Sequence, residues 1–475
     1  MGRNSHRGVF GLLLPPLSFA NISCRLAAAL TFSFVCGDAA AALSKIRPAS
    51  HGPGFVDARG KPFVPFGVTY YRPGTGWAPQ VWKDFDAEAT RQDFARMKDL
   101  GVNCARVFLS YGSFYKEPGR LEADGMAKFD QFLSIAEAAG IYVHPTGPDL
   151  WEGPPDWPAG GIEDEKTLAA LETFWKLFAA RYRARPVIFA YDLRNEPSVG
   201  WGGLETPWNQ WLKDKYGADA AQRPAPIPAA SDALTNATLL EFQSFREHLA
   251  DEWTRRQVAA IKSADPAALA TVGMLQWSVP SLLPGLSQYS AFRPRRQARY
   301  LDYLTVHFYP LENGGYKYRT AEELARNLSY LESVVREVAL AGKPVVLGEF
   351  GWYGGGAAHF DHGSFPPATE AQQEEYDRRA VETSGPFVCG WLNWGLFDDP
   401  EAKDCSEWIG LLTSDGRVKA WGRTFRSLAA SHRGKVSRTT QPGPRPELDW
   451  DACLTSLAAE RQFRQQYYLE FSKPR

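Results

Sequence analysis

Between residues 55 and 430, short apolar runs alternate with longer segments whose apolar positions recur at helical spacing. The short runs are Pro62–Tyr71, Cys104–Tyr111, Ile141–Pro148, Val187–Pro197, Ala270–Trp277, 300–310, Pro344–Trp352 and Phe387–Asp399. The helical segments include Phe85–Gly101, Met126–Gly140, Thr167–Pro186, Leu239–Pro266, Leu324–Gly342, Glu370–Gly385 and Trp421–His432. Eight strands separated by helices predict an α/β fold, a parallel sheet closed into a (β/α)8 TIM barrel. Gly67, Arg106, His144, Glu196, Gly273, His307, Glu349 and Trp394 mark successive strand ends, at intervals of 39, 38, 52, 77, 34, 42 and 45 residues. The outlying interval holds a long insertion after strand four, roughly 198–236, rich in Trp, Pro and Gly. An open doubly wound sheet would want a glycine-rich phosphate loop after an early strand, and none is present.

The flanks differ from this rhythm. Arg3, His6, Arg7 and Arg25 precede the apolar run Leu26–Val35 and the small residues that follow it. That is a secretory signal pattern, too short to span a bilayer, so residues 1–42 are expected to direct export. A secreted or periplasmic protein is expected, with lipid attachment at Cys36 as the alternative. The barrel is assigned to residues 50–432. Residues 433–475 read as a linker and a short helical tail packed on it. Two of the six cysteines fall in the signal region; Cys104 and Cys389 lie in apolar runs. Cys405 and Cys453 lie in loop or tail surroundings, where a bridge between them would tie the tail down.

Composition narrows the function. With 16 Trp and 13% aromatic residues, the chain has more flat side chains than a core needs, as sites for polar-edged ligands such as sugars do. A formal net charge of −1 offers no field for nucleic acid or a membrane surface. No integral membrane segment is expected in the mature chain, and a monomer is expected. The one basic run, Arg293–Arg299, reads as a solvated loop or a contact for an anionic substituent. Neither a CxxC pair nor HExxH occurs, so no metal or cofactor is expected.

The chemistry is suggested by polar residues that end apolar strands. Val187–Ala190 leads into Asn195 and Glu196, and an unpaired carboxylate at the edge of a core is costly or has a shifted pKa. In a barrel of this kind reactive groups stand at the C-terminal strand ends. That rim gathers Arg106 from strand two, Asn195 and Glu196 from four, His307 and Tyr309 from six, Glu349 from seven and Trp394 from eight. Two carboxylates facing one another suit glycosidic cleavage: one protonates the leaving oxygen, the other attacks the anomeric carbon or activates water. A separation near 5–5.5 Å means retention of configuration and one around 9 Å means inversion. Arg106 and Tyr309 can hold Glu349 ionised, Asn195 can donate to a sugar hydroxyl, and Trp394 can face the pyranose ring. Trp391 reads as core. Trp151, Trp201, Trp208 and Trp277 are candidate sugar contacts, while Asp149, Glu152, Asp398 and Asp399 read as solvated loop acids.

RNEP at 194–197, VHFY at 306–309, LGEFG at 347–351 and the strand-eight Trp394 together resemble glycoside hydrolase family 5, the cellulase and mannanase family. The resemblance covers about residues 55–430. It implies that Glu196 is the acid/base and Glu349 the nucleophile of a retaining enzyme. It matches Arg106, His307 and Tyr309 to supporting positions. His144 stands two residues before the family's strand-three histidine, so the alternative is that it turns into the barrel. The expected activity is that of a β-glycoside hydrolase on β-linked glucan or mannan. The insertion aromatics Trp201, Trp208, Trp211 and Tyr216 could wall one side into an exo-acting, β-mannosidase-like pocket. A non-hydrolytic carbohydrate-binding barrel and a transglycosylase using the same two Glu are the rival readings.

Overall fold

The computed structural model describes residues 43–473 except 76–80, 151–154, 156, 158–159, 218–225, 231–236 and 436–442. The expected export segment with Cys36, and the candidates Trp151 and Glu152, lie outside the described residues.

Three two-residue strands come first, β1 Arg47–Pro48, β2 Phe55–Val56 and β3 Pro62–Phe63, paired antiparallel. The barrel follows as β4 Phe66–Thr69, β5 Cys104–Ser110, β6 Tyr142–Asp149, β7 Tyr191–Asn195, β8 Ala270–Met274, β9 Leu304–His307, β10 Val345–Phe350 and β11 Trp391–Asn393. Each strand pairs in parallel with the next, and β11 returns to β4, so the eight-stranded barrel closes as expected. The helices are α1 Ala87–Asp99, α2 Tyr111–Phe114, α3 Ala123–Ala139, α4 Glu165–Tyr182, α5 Glu205–Tyr216, α6 Ala237–Ala264, α7 Pro294–Gln297, α8 Ala321–Ala339, α9 Glu370–Ser384, α10 Ala420–His432, α11 Trp450–Cys453 and α12 Leu457–Phe471. Their starts are chemically marked. Asp86, Asp164, Thr320 and Ser456 accept backbone N–H groups of the first turn, and Thr369 with Gln372 makes a capping box.

All seven residues of β5 and all eight of β6 are buried, as strands covered on both faces require. The hairpin closes the N-terminal end of the barrel. The Phe55 ring meets those of Phe189 and Tyr303 edge-on, each at 5.2 Å. Two apolar runs are divided differently from the sequence pattern. Pro62–Tyr71 splits between hairpin and barrel, and Val187–Ala190 precedes β7, touching β6 only by a bridge at Ile188.

The tail packs on the barrel by another means than a disulfide. Cys405 and Cys453 are both free thiols. The tail is held instead by burial of Leu448, Cys453, Leu454, Phe463 and Tyr467 and by ion pairs such as Arg445–Glu332 at 2.6 Å. The basic run is not a solvated loop: Arg293 and Arg296 reach Glu247, and Arg296 reaches Asp251 at 2.7 Å, which locks α7 to α6. No helix among the described residues is long and apolar enough to cross a membrane.

Candidate active site

Glu196 follows the last residue of β7 and has φ of +47°, a left-handed conformation that non-glycine residues avoid. Such a residue costs on the order of 1–3 kcal/mol and persists only where its surroundings fix it. Here its N–H donates to Gly273 O at 2.9 Å, just past a register shift between Asp192 and Asn195. The effect is to turn the carboxylate into the barrel mouth. About a quarter of the side chain, 28%, opens to the cavity. Burial pushes its pKa up to about 7, against the pull of the Arg106 charge.

Glu349 lies on β10, three strands round the barrel from β7, and stands opposite His307 in the register of β10 on β9. Arg106 Nη1 donates to its Oε1 at 2.5 Å and the Tyr309 hydroxyl donates to Oε2 at 2.9 Å. Burial raises its pKa; His307 and Arg106 hold it down, the negative charge of Glu196 pushes it up, and the Tyr309 hydrogen bond lowers it. His307 bridges the two acids, with Nδ1 3.0 Å from Glu196 Oε1 and 3.4 Å from Glu349 Oε1. Burial lowers the imidazole to about 4, so it is neutral at pH 7. With two donors on Glu349, Arg106 and Tyr309, and the His307 hydrogen bond on Glu196, the proton of the pair settles on Glu196.

Arg106 is fully buried and serves several partners. Nη2 donates to Asn195 Oδ1 at 2.8 Å and to Asp192 Oδ2 at 3.1 Å, and the guanidinium lies 4.7 Å over the Phe108 ring. Because the Asn195 carbonyl is occupied, its NH2 is the group left to donate to a ligand. Asp192 also accepts from the Thr146 hydroxyl at 2.9 Å and from Gly273 N–H at 2.7 Å. Asp192, Thr146 and Gln276, which accepts from Tyr309 N–H at 2.8 Å, are supports that the sequence reading missed. Asp192 carried a signal, since its carboxylate stands between Tyr191 and Leu193 directly after the apolar run Val187–Ala190.

Oxygen or nitrogen atoms of Glu196, His307 and Glu349 lie within 4.8 Å of one another, close enough to share a small cation. Such an ion would face the Arg106 guanidinium on Glu349. The set therefore suits a proton and a carboxylate better than a metal.

These groups open into a cavity of about 660 Å³. Asn195, Glu196, Tyr309, Glu349 and Trp394 line it around the two acids. Ser406 Oγ accepts the Trp394 indole N–H at 2.7 Å and fixes the ring. The far wall is largely apolar, from Leu311, Trp352, Phe360 and Phe365, while Lys403, Asp404 and Cys405 follow β11.

Several sequence candidates sit elsewhere. His144 faces the barrel interior and bonds the Tyr303 hydroxyl at 2.5 Å; Thr146 occupies the position two residues on. Trp277 does not line the cavity. Trp208 stacks on Trp211, and both pack against Phe245 of α6; Trp201 packs against Phe242. The described insertion aromatics thus build a helix contact, and among the described residues the outer cavity walls come from the loops after β9, β10 and β11. Trp391 is core, with its N–H on Ser384. The loop acids are not solvated. Asp149 pairs with Arg194 at 3.4 Å and burial lifts it to about 6, and Asp398 pairs with buried Lys419 at 2.8 Å. Asp399 accepts Glu401 N–H at 3.3 Å.

Comparisons with known proteins agree with this geometry. The family model described as Cellulase (glycosyl hydrolase family 5) matches residues 56–396. A probable mannan endo-1,4-beta-mannosidase F of Aspergillus oryzae is 23% identical over 334 residues, 63% of this chain and 61% of its own length. An exo-beta-1,4-mannosidase from Opitutaceae bacterium strain TAV5 superposes with a TM-score of 0.60 at 20% identity, covering 81% of this chain and 62% of that one. A GH5_18 variant from Streptomyces cattleya in complex with Manb1-4GlcNAc gives a TM-score of 0.57 at 21% identity, covering 85% and 91%. The chain thus spans about three fifths of the first two relatives. It belongs to glycosyl hydrolase family 5.

Proposed function

We propose that the protein is a retaining β-glycoside hydrolase that removes mannosyl units from short β-linked mannosides. The observation that carries this is the shared contact of His307 with both acids, which brings carboxylate oxygens of Glu196 and Glu349 within 4.8 Å. A separation this small leaves no room for a water between the second carboxylate and the anomeric carbon, as inversion would need. In the first step Glu196 gives its proton to the glycosidic oxygen as Glu349 bonds to the anomeric carbon and the leaving alcohol departs. In the second, Glu196 takes a proton from water, whose oxygen displaces Glu349 from that carbon. Asn195 donates to the hydroxyl beside the reacting carbon, and Trp394 supports the ring.

Mannose is favoured over glucose because two similar proteins are named as mannosidases and a third, a GH5_18 variant, is in complex with Manb1-4GlcNAc. An exo mode is favoured by walls from three successive loops around one reactive end. The test compares 4-nitrophenyl β-mannoside, β-1,4-mannotriose and mannan polymer, with 4-nitrophenyl β-glucoside beside the first. Release of mannose from the first two, with little loss of viscosity in the third, is expected. Rapid viscosity loss without mannose would replace exo with endo action, and a preference for the β-glucoside would replace the sugar.

A further inference from the structure

The loop after β9 forms part of the cavity wall in a conformation that needs outside support. Asn313, Gly314 and Gly315 stand at φ of 56°, 83° and 97°, three successive residues on the left-handed side. Leu311 and Gly314 line the cavity. Gly315 sits so close to its neighbours that a Cβ there would lie 2.9 Å from Phe365 and 3.6 Å from Trp352. The Trp352 indole N–H donates to Tyr316 O at 2.7 Å. The turn therefore seats two further wall residues.

Its anchor is Glu312. Its N–H donates to Asn327 Oδ1 at 3.1 Å, and its buried carboxylate lies 3.4 Å from Arg464 Nη2. Arg464 belongs to α12, the tail helix, and is 3% exposed. The same guanidinium donates to Ser329 Oγ at 2.6 Å and Ser333 Oγ at 3.2 Å, fixing it on α8. Arg326, 3.9 Å from Glu312, is a looser second cation.

We infer that the C-terminal helix is a specificity element of this enzyme. Arg464 is a positioning residue: through Glu312 it sets the apolar wall against which sugar units beyond the cleaved bond rest. The reactive end keeps anchors of its own, Tyr309 on Gln276 and Glu349 on Arg106, and meets the tail at one remove, where Gln276 Nε2 donates to the Tyr330 hydroxyl at 3.3 Å and Arg464 lies 5.4 Å over the Tyr330 ring. Loosening the wall should thus alter how an extended substrate is held, without altering the bond-breaking step. This rests on the proposed reading of the cavity as a β-glycosidase site.

The test uses the full chain with Glu312→Gln and Arg464→Met together, which removes the contact without stranding a buried charge. Gly315→Ala pushes on the same wall from the other side and leaves the ion pair intact. For both variants KM for mannotriose should rise about fivefold to tenfold, the scale of a lost packing contact of about 1 kcal/mol. The kcat on 4-nitrophenyl β-mannoside should stay within about twofold in the same assays. Unchanged KM for mannotriose, or kcat falling equally on both substrates, would overturn the inference. If the double variant fails to fold, Gly315→Ala decides alone. A wild-type enzyme inert on both mannosides would refute the sugar assignment instead, and the variants would be read on cellotriose and 4-nitrophenyl β-glucoside.

Discussion

At the scale of single residues, the account is one of charge held in place. Glu349 has a cation and a phenol on its oxygens, whereas Glu196 is lifted by burial against the pull of the Arg106 charge. Glu349→Gln should abolish turnover while leaving ligand binding measurable by calorimetry. Glu196→Ala should lose roughly 10²–10⁴-fold in kcat, the usual range for a lost proton donor, and azide should restore much of it. Failure of azide and of substrates with better leaving groups to help would remove Glu196 from that role. The pH dependence has a definite sign. Glu196 works protonated and titrates at about 7, so kcat/KM should fall as pH rises through that value. Glu349 works ionised, so activity should also fall on the acid side. In Glu196→Gln the alkaline limb should vanish. Asp192→Asn keeps the shape but removes the charge that orients Arg106, so kcat should fall by up to about 10²-fold if the guanidinium shifts.

At this scale the sequence was informative where a polar residue ended an apolar run, as Glu196, His307 and Glu349 do. It was less so where polarity marked burial. Asp149 and Asp398 looked like loop acids because each partner, Arg194 or Lys419, gave no sign of pairing with it. His144 was found at the right strand but one pleat too deep, where alternation aims it at Tyr303.

At the scale of elements, close approach of strands decides what fits. A Cβ on Gly273 would lie 3.0 Å from the His307 ring and 3.1 Å from Asp192, and one on Gly348 would lie 2.1 Å from Thr305 Cγ2. Gly348→Ala should therefore cost about 1–3 kcal/mol in a denaturant titration, as overpacking does. Gly273→Ala should do more to activity than to stability, since the atoms displaced belong to the His307 and Asp192 supports. The order of strands was legible because every apolar run but Ala270–Trp277 had a helical segment after it. The role of the insertion was not, because surplus Trp on a loop reads alike whether it meets a ligand or, as Trp201 and Trp208 do, a helix. The wall residues Trp352, Phe360 and Phe365 gave no sequence signal, since only the fold brings their loop to Leu311.

At the scale of the whole molecule, the barrel is plugged below by the hairpin and braced at the side by the tail. Two cysteines suggested a bridge for that brace, but spacing in sequence says nothing of distance in space, and apolar burial with ion pairs holds it instead. Reductant should leave Tm unchanged, whereas Phe463→Ala, emptying a 6%-exposed site under α12, should cost about 3 kcal/mol. The most direct test of the central claim follows the anomeric proton of the first product by NMR before mutarotation. If Glu196 and Glu349 act by two displacements, the sugar released from a β-glycoside appears first as the β anomer. Appearance of the α anomer first would show single displacement by water and contradict the account.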